Sequence, residues 1–135
     1  MIEVGPRERV LHLGFGDGAG TCEFARRARE GMALGVDPSE ERVGLARKLA
    51  VEIENVMFVL GAPEEVPWQE GFFSLVVCDA TTPNWTRAAR EIFRVTAGSG
   101  RVYITPPPSD GEELFRAAGF DPVRVDRLRL EARKP

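Results

Sequence analysis

Four glycines at alternate positions constrain this chain more than any other feature. They stand in the run Leu13-Gly14-Phe15-Gly16-Asp17-Gly18-Ala19-Gly20. The run follows a short apolar segment at 10–13 and precedes a stretch of helical periodicity. Glycine is required where the backbone takes positive φ or where a ligand must approach the main chain closely. A helix that starts just after such a turn offers backbone N–H groups and a positive dipole end to an anionic group. A tight strand-to-helix turn would use glycine as well, so the loop needs a second signal.

That signal is Asp37, at the end of the next apolar run (33–36) and about 20 residues past the glycines. A carboxylate there can accept from both hydroxyls of a ribose; it can also cap the helix that follows. Together the loop and the acid point to an adenosine-containing cofactor. They do not choose between a dinucleotide and S-adenosylmethionine, since Gly14, Gly16 and Ala19 satisfy the dinucleotide pattern, which tolerates alanine at its third position.

The rest of the chain alternates strand-like and helix-like segments. Strands are expected at 10–13, 33–36, 56–60, 73–78 and 101–105. Helices are expected at 21–31 with Thr21 as cap, at 39–52, from Pro83 as first helical residue, and at 110–118. Segment 62–71 is too short and Pro-rich for more than one turn. The unbroken apolar run 73–78 reads as a central parallel strand buried on both faces. In the tail, apolar residues shift from odd positions (Val123, Val125) to even ones (Leu128, Leu130, Ala132), which demands a bulge or a minimal turn near Asp126-Arg127. This order implies an α/β fold: a doubly wound, mostly parallel, Rossmann-like sheet with a short antiparallel C-terminal edge element. Ligands bind such sheets beyond the carboxyl ends of the strands where strand order reverses, here strands one and four.

Composition narrows the function classes. At 135 residues, positions 1–135 are the size of one domain. A net charge of −3 gives no long-range attraction to nucleic acid or anionic membrane. No stretch reaches the ~18 apolar residues of a membrane helix, and the start has no signal-peptide pattern. With two cysteines, no CxxC and a single histidine, we expect no metal site and reduced thiols in a cytoplasmic setting.

Residues 10–18, Val-Leu-His-Leu-Gly-Phe-Gly-Asp-Gly, resemble the first motif of class I S-adenosylmethionine-dependent methyltransferases. Gly35-Val36-Asp37-Pro38-Ser39 resembles their ribose-binding segment. The stretch from Asn55 through Glu65-Val66-Pro67-Trp68 to Phe73–Cys78 is similar to their third and fourth strands. Arg90–Val95, then Gly98 and Gly100 before Arg101-Val102-Tyr103-Ile104, is similar to the approach to their fifth. Ala117-Ala118-Gly119-Phe120 and residues 132–135 fit the family's tail. The resemblance covers residues 9–135 in order.

It implies S-adenosyl-L-methionine as cofactor and methyl transfer to an acceptor, expected to be a small molecule. Carried over, Gly14, Phe15, Gly16, Asp17 and Gly18 would pass under the methionine part of the cofactor, and Asp37 would hold the ribose. Pro38 and Ser39 would lie beside the adenosine, and Gly61, Ala62 and Pro63 would flank the adenine. Cys78 and Asp79 would line the methyl-transfer side, with Asp79 the candidate catalytic group, as a base or to orient a nucleophile.

The sequence departs from the family at four places. His12 replaces an acid expected near the methionine amino group, and Ala62 replaces an acid expected at the adenine amino group. Nine residues precede the first strand, where the family has covering helices, and the tail is short. These departures leave a second reading: a cofactor-binding domain that needs a partner or a second copy to complete its site. A third is a dinucleotide-binding module.

Single residues have structural readings too. His12 is expected packed and hydrogen-bonded, Cys22 a small buried residue, Asp79 either near the reaction or a turn residue, and Trp85 core. Arg124, Arg127, Arg129 and Arg133 read as a solvated edge strand.

Overall fold

The computed structural model describes residues 2–135. The elements run β1 (Arg9–Leu13), α1 (Ala19–Arg27), β2 (Met32–Asp37), α2 (Glu40–Leu49), β3 (Val56–Leu60), β4 (Phe73–Cys78), α3 (Trp85–Val95), β5 (Thr96–Ile104), α4 (Gly111–Ala118), β6 (Val123–Val125) and β7 (Leu130–Arg133). The strands form one sheet in the order β3-β2-β1-β4-β5-β7-β6. Pairs β2–β3, β1–β2, β1–β4 and β4–β5 are parallel, while β7 is antiparallel to both β5 and β6. Strand order therefore reverses between β1 and β4, as the alternation of elements predicts.

The central strands β1, β2 and β4 are covered on both faces, which is why they read as apolar runs, whereas β5 from Arg101 and β7 alternate buried with more exposed residues. Leu11, Leu13, Leu34, Val36, Val76, Cys78, Val102 and Ile104 face one layer and pack with Ile92 of α3 and Phe115 of α4. Val10, Ala33, Leu75 and Val77 face the other and pack with Ala25 of α1. Phe15, Phe58, Val43 and Ala46 form a third cluster beneath α2. Each fully buried Leu, Val or Ile contributes roughly 1.5–3 kcal/mol by burial.

The structure corrects several helix and strand ends. Helix α1 starts at Ala19, two residues before its expected start, and closes at Arg27 rather than near 31. Thr21 is not its cap. Gly18, at φ 93°, occupies that position, and the Asp17 carboxylate accepts the Ala19 N–H at 2.9 Å. Pro83 lies outside α3. Asn84 caps that helix by accepting the Arg87 N–H at 3.1 Å, a side-chain acceptor proline lacks. Strand β5 begins at Thr96, directly after α3, so Gly98 and Gly100 sit within it, where its register against β4 shifts. The phase change in the tail resolves as a hairpin. The Asp126 carboxylate accepts from Leu128 and Arg129 N–H at 2.7 and 3.0 Å and turns β6 into β7.

Candidate cofactor-binding site

The glycine loop leaves β1 tied to β2 by the Gly14 N–H on the Val36 carbonyl (2.9 Å). Gly14, Gly16 and Gly18 all take positive φ (71°, 63° and 93°), a region that costs other residues roughly 1–2 kcal/mol. Their surroundings differ. A Cβ on Gly14 would stand 2.6 Å from the Ala80 Cβ, and one on Gly18 2.9 Å from the Ala46 Cβ, so both glycines are packing requirements. A Cβ on Gly16 would meet nothing within 4 Å. Gly16 faces open space, and Gly16 and Asp17 are exposed. The loop is thus closed on its protein side and open where a ligand would pass. The Phe15 side chain turns away from that space and packs edge-on against Phe58 at 4.9 Å, leaving only its backbone for a ligand.

On the β2–β3 side, Asp37 does not cap α2. Ser39 does, its hydroxyl accepting the Arg42 N–H at 3.2 Å. One Asp37 oxygen accepts the Ser39 N–H at 3.0 Å, and the other faces Arg42 at 3.5 Å. Asp37 is only 2% exposed, whereas Arg42 is 60% exposed. The exposed Arg42 guanidinium therefore stands beside the buried carboxylate.

Beyond Asp37, Ala62 and Glu65 exchange backbone hydrogen bonds around a tight turn that buries Pro63. A Cβ on Gly61 would strike Pro67 and Val36 at 2.8 Å, so glycine is needed there for close packing. Pro38, Gly61 and Ala62 together line a cleft of about 850 Å³, with Val66 and Pro67 behind it and Glu91 and Arg94 of α3 at its wall. The last two were not expected from the sequence, although their i, i+3 spacing allows a pair. Glu91 accepts the Val66 N–H at 2.7 Å, while Arg94 bonds Glu91 at 2.7 Å and the Trp68 and Val66 carbonyls at 3.0 Å. They hold loop 62–71 against α3. The Arg94 hydrogen bond keeps the Glu91 carboxyl below its ordinary pKa of 4.5.

On the β1–β4 side, Cys78 is fully buried and its thiol contacts the Ala80 carbonyl at 3.6 Å. Burial pushes its pKa up to about 12, so the side chain stays neutral and only its backbone borders the site. Asp79 follows at the strand end, its N–H on the Leu13 carbonyl at 2.9 Å. Its carboxylate is 48% exposed and meets His12 Nε2 at 2.7 Å. His12 Nδ1 in turn meets the Thr21 hydroxyl at 2.8 Å. His12 is packed and hydrogen-bonded as expected; Thr21 as its partner was not legible, because nothing local distinguishes it from a cap. Trp85 packs against the core beside Phe115. Cys22 is a buried free thiol whose pKa burial raises. Among the described residues, no helix is long and apolar enough to cross a membrane.

Comparisons with known proteins agree with this fold. The family described as "Methyltransferase domain" matches residues 10–100. The Bacillus subtilis protein YrhH is 28% identical over 116 residues, 83% of this chain and 64% of YrhH. The uncharacterized methyltransferase YcgJ of the same organism is 32% identical over 101 residues, 71% of this chain and 39% of YcgJ. The chain thus spans less than two thirds of either relative. The crystal structure of BH2331 from Bacillus halodurans superposes with a TM-score of 0.80 over 98% of this chain and 94% of its own, at 17% identity, a likeness of fold alone. The family match over two thirds of the chain, carried on this strand order and glycine loop, places the protein among the class I S-adenosylmethionine-dependent methyltransferases.

Proposed function

We propose that this chain binds S-adenosyl-L-methionine across the ends of β1, β2, β3 and β4 and passes its methyl group to a small-molecule acceptor. The observation that carries this reading is Gly16. It holds positive φ within the turn closed by the Gly18 N–H on the Phe15 carbonyl, and a Cβ there would meet no protein atom, whereas Gly14 and Gly18 on either side are packed shut. When bound, the cofactor supplies a methyl group on a sulfonium, open to in-line attack by a nucleophile.

The chain's own work is positioning. The backbone of Gly14, Phe15, Gly16, Asp17 and Gly18 lies under the methionine part. Asp37 takes the ribose hydroxyls as Arg42 swings aside. Pro38 and Ser39 border the adenosine, Ser39 through its backbone because its hydroxyl caps α2. Gly61, Ala62 and Pro63 border the adenine in the cleft. Cys78 contributes backbone, and Asp79 is the acid facing the transfer side. The net charge of −3 favours a small acceptor over a polyanion. The exposed Gly16, Asp17 and Asp79 leave that side open to water, so a partner or second copy laid over it would supply the missing wall.

Thermal unfolding tests the reading. A ligand at 100 times its Kd stabilises by roughly 2.7 kcal/mol, a Tm rise on the order of 10 °C for a domain of this size. We expect that rise with S-adenosylmethionine and S-adenosylhomocysteine. A rise with NAD alone refutes the proposal and supports a dinucleotide module.

A further inference from the structure

Three acids stand at the glycine-loop end of the sheet, and only Asp37 has partners on both oxygens, Ser39 and Arg42. Asp17 and Asp79 each keep one oxygen with no partner among the described residues, but Asp17 is held by the Ala19 N–H of its own loop, whereas Asp79 is held by a buried side chain from another strand, His12.

With a neutral His12 ring, the chain of groups behind Asp79 has one polarity. A carboxylate only accepts, so His12 Nε2 carries the proton and donates it. In the neutral ring Nδ1 is then the acceptor, and the Thr21 hydroxyl is the donor. Thr21 is fully buried and His12 5% exposed, so water does not compete for the bond between them, while the half-exposed Asp79 meets His12 at the surface. The series runs from the first turn of α1, through β1, to a half-exposed carboxylate at the end of β4. Only its anionic end reaches the site. A turn residue that served its own loop would not need a buried donor chain from two other elements.

We infer that Asp79, oriented by His12 and Thr21, is the counter-ion for the ammonium of the bound cofactor's amino-acid end. The inference rests on the cofactor reading above and gives Asp79 a binding role rather than that of a proton acceptor. The ligand chemistry suits the place. That end of the cofactor is a zwitterion, and the N-terminus of α1 favours its carboxylate, leaving the ammonium in need of an acceptor. Thr21 ties the two halves of this clamp together, since it belongs to α1 and fixes the acid through His12. The role of His12 and Thr21 is positioning; neither side chain reaches the ligand.

Two probes separate this inference from the cofactor reading. S-adenosylhomocysteine carries the amino-acid end, whereas 5′-methylthioadenosine keeps the adenosine and lacks it. By calorimetry, Asp79→Asn is expected to weaken S-adenosylhomocysteine about tenfold, the loss of one charge-assisted hydrogen bond, and to leave 5′-methylthioadenosine within about twofold. His12→Leu should reproduce a smaller loss of the same selectivity. His12→Gln, whose amide can still donate to Asp79, should restore most of it, a pattern that simple loss of packing would not give. Should His12→Leu fail to fold, Asp79→Asn and His12→Gln decide alone. Equal losses for both probes, or no loss for either, overturn the role of Asp79 while leaving the cofactor reading intact. A wild-type protein that binds neither probe overturns both.

Discussion

The two halves of the site are built on opposite plans. The half proposed to hold adenosine is a cleft walled by loop residues 61–67, and an ion pair on α3 braces that loop through hydrogen bonds to its backbone. The half proposed for methyl transfer is an open strand end, where one half-exposed acid is fixed from behind by two buried side chains. In the first, tertiary contacts hold a segment with little structure of its own. In the second, the strand is rigid already, and the contacts aim a single carboxylate. The difference teaches where each half is vulnerable: the adenosine half through the stability of a loop, the transfer half through the placement of one charge.

The largest effect should come from breaking the brace. Removing one partner of a fully buried pair costs roughly 3–5 kcal/mol. Because Arg94 is 37% exposed, we expect about 2–3 kcal/mol for Arg94→Ala, a fall in Tm of roughly 10 °C. Binding of 5′-methylthioadenosine should weaken with it. A variant that keeps its Tm and its affinity would show that loop 62–71 holds itself.

Next comes the ribose contact. Asp37→Asn retains an acceptor for the Ser39 N–H, so folding should change little. Loss of the charge should cost about 2 kcal/mol of binding, some 30-fold in Kd. Unchanged affinity by calorimetry would leave Asp37 only its bonds to Ser39 and Arg42.

The adenine wall offers a gain rather than a loss. Ala62 presents no side-chain acceptor to the cleft, and Glu65, which also lines it, has a carboxylate 82% exposed and facing Arg87 at 4.0 Å. Ala62→Asp should tighten S-adenosylhomocysteine about tenfold, one charge-assisted hydrogen bond after desolvation. Weaker binding would mean that Glu64 or Glu65 already serves the adenine, which the same substitution with both glutamates changed to Gln would reveal.

The smallest effect is a pH dependence of stability. The folded Glu91 carboxyl titrates below its ordinary 4.5 because Arg94 bonds its charged form. Its contribution is therefore fully present above 4.5 and is lost as pH falls below that value through the folded pKa. Glu91→Gln should flatten the acid limb of a Tm-versus-pH curve between 4.5 and lower pH. An unaltered limb would place the acid sensitivity in other carboxylates.

The glycine pattern, the apolar runs and their alternation with helical segments determined the fold class, the switch point between β1 and β4, and a family resemblance that the comparisons bear out. These signals are local: strand period, helix period and the φ demands of glycine act within a few residues, so a linear reading recovers them. Helix ends were misplaced where capping depended on competition. Thr21 has a good capping side chain, but its hydroxyl is drawn to His12 on the neighbouring strand, so Gly18 ends the loop instead. Pro83 suits a first helical position, but Asn84 supplies the acceptor.

Within the site, the sequence identified the glycine loop, Asp37 and Asp79 as residues of interest. The tertiary structure decided what each is free to do. It set Arg42 beside Asp37, buried the Cys78 thiol at a pKa of about 12, turned Phe15 into the core, and joined Asp79 to Thr21 through His12 across 67 and 9 residues of chain. No sequence period encodes such pairings, because hydrogen bonds between distant residues depend on strand order and register, which exist only once the sheet has formed.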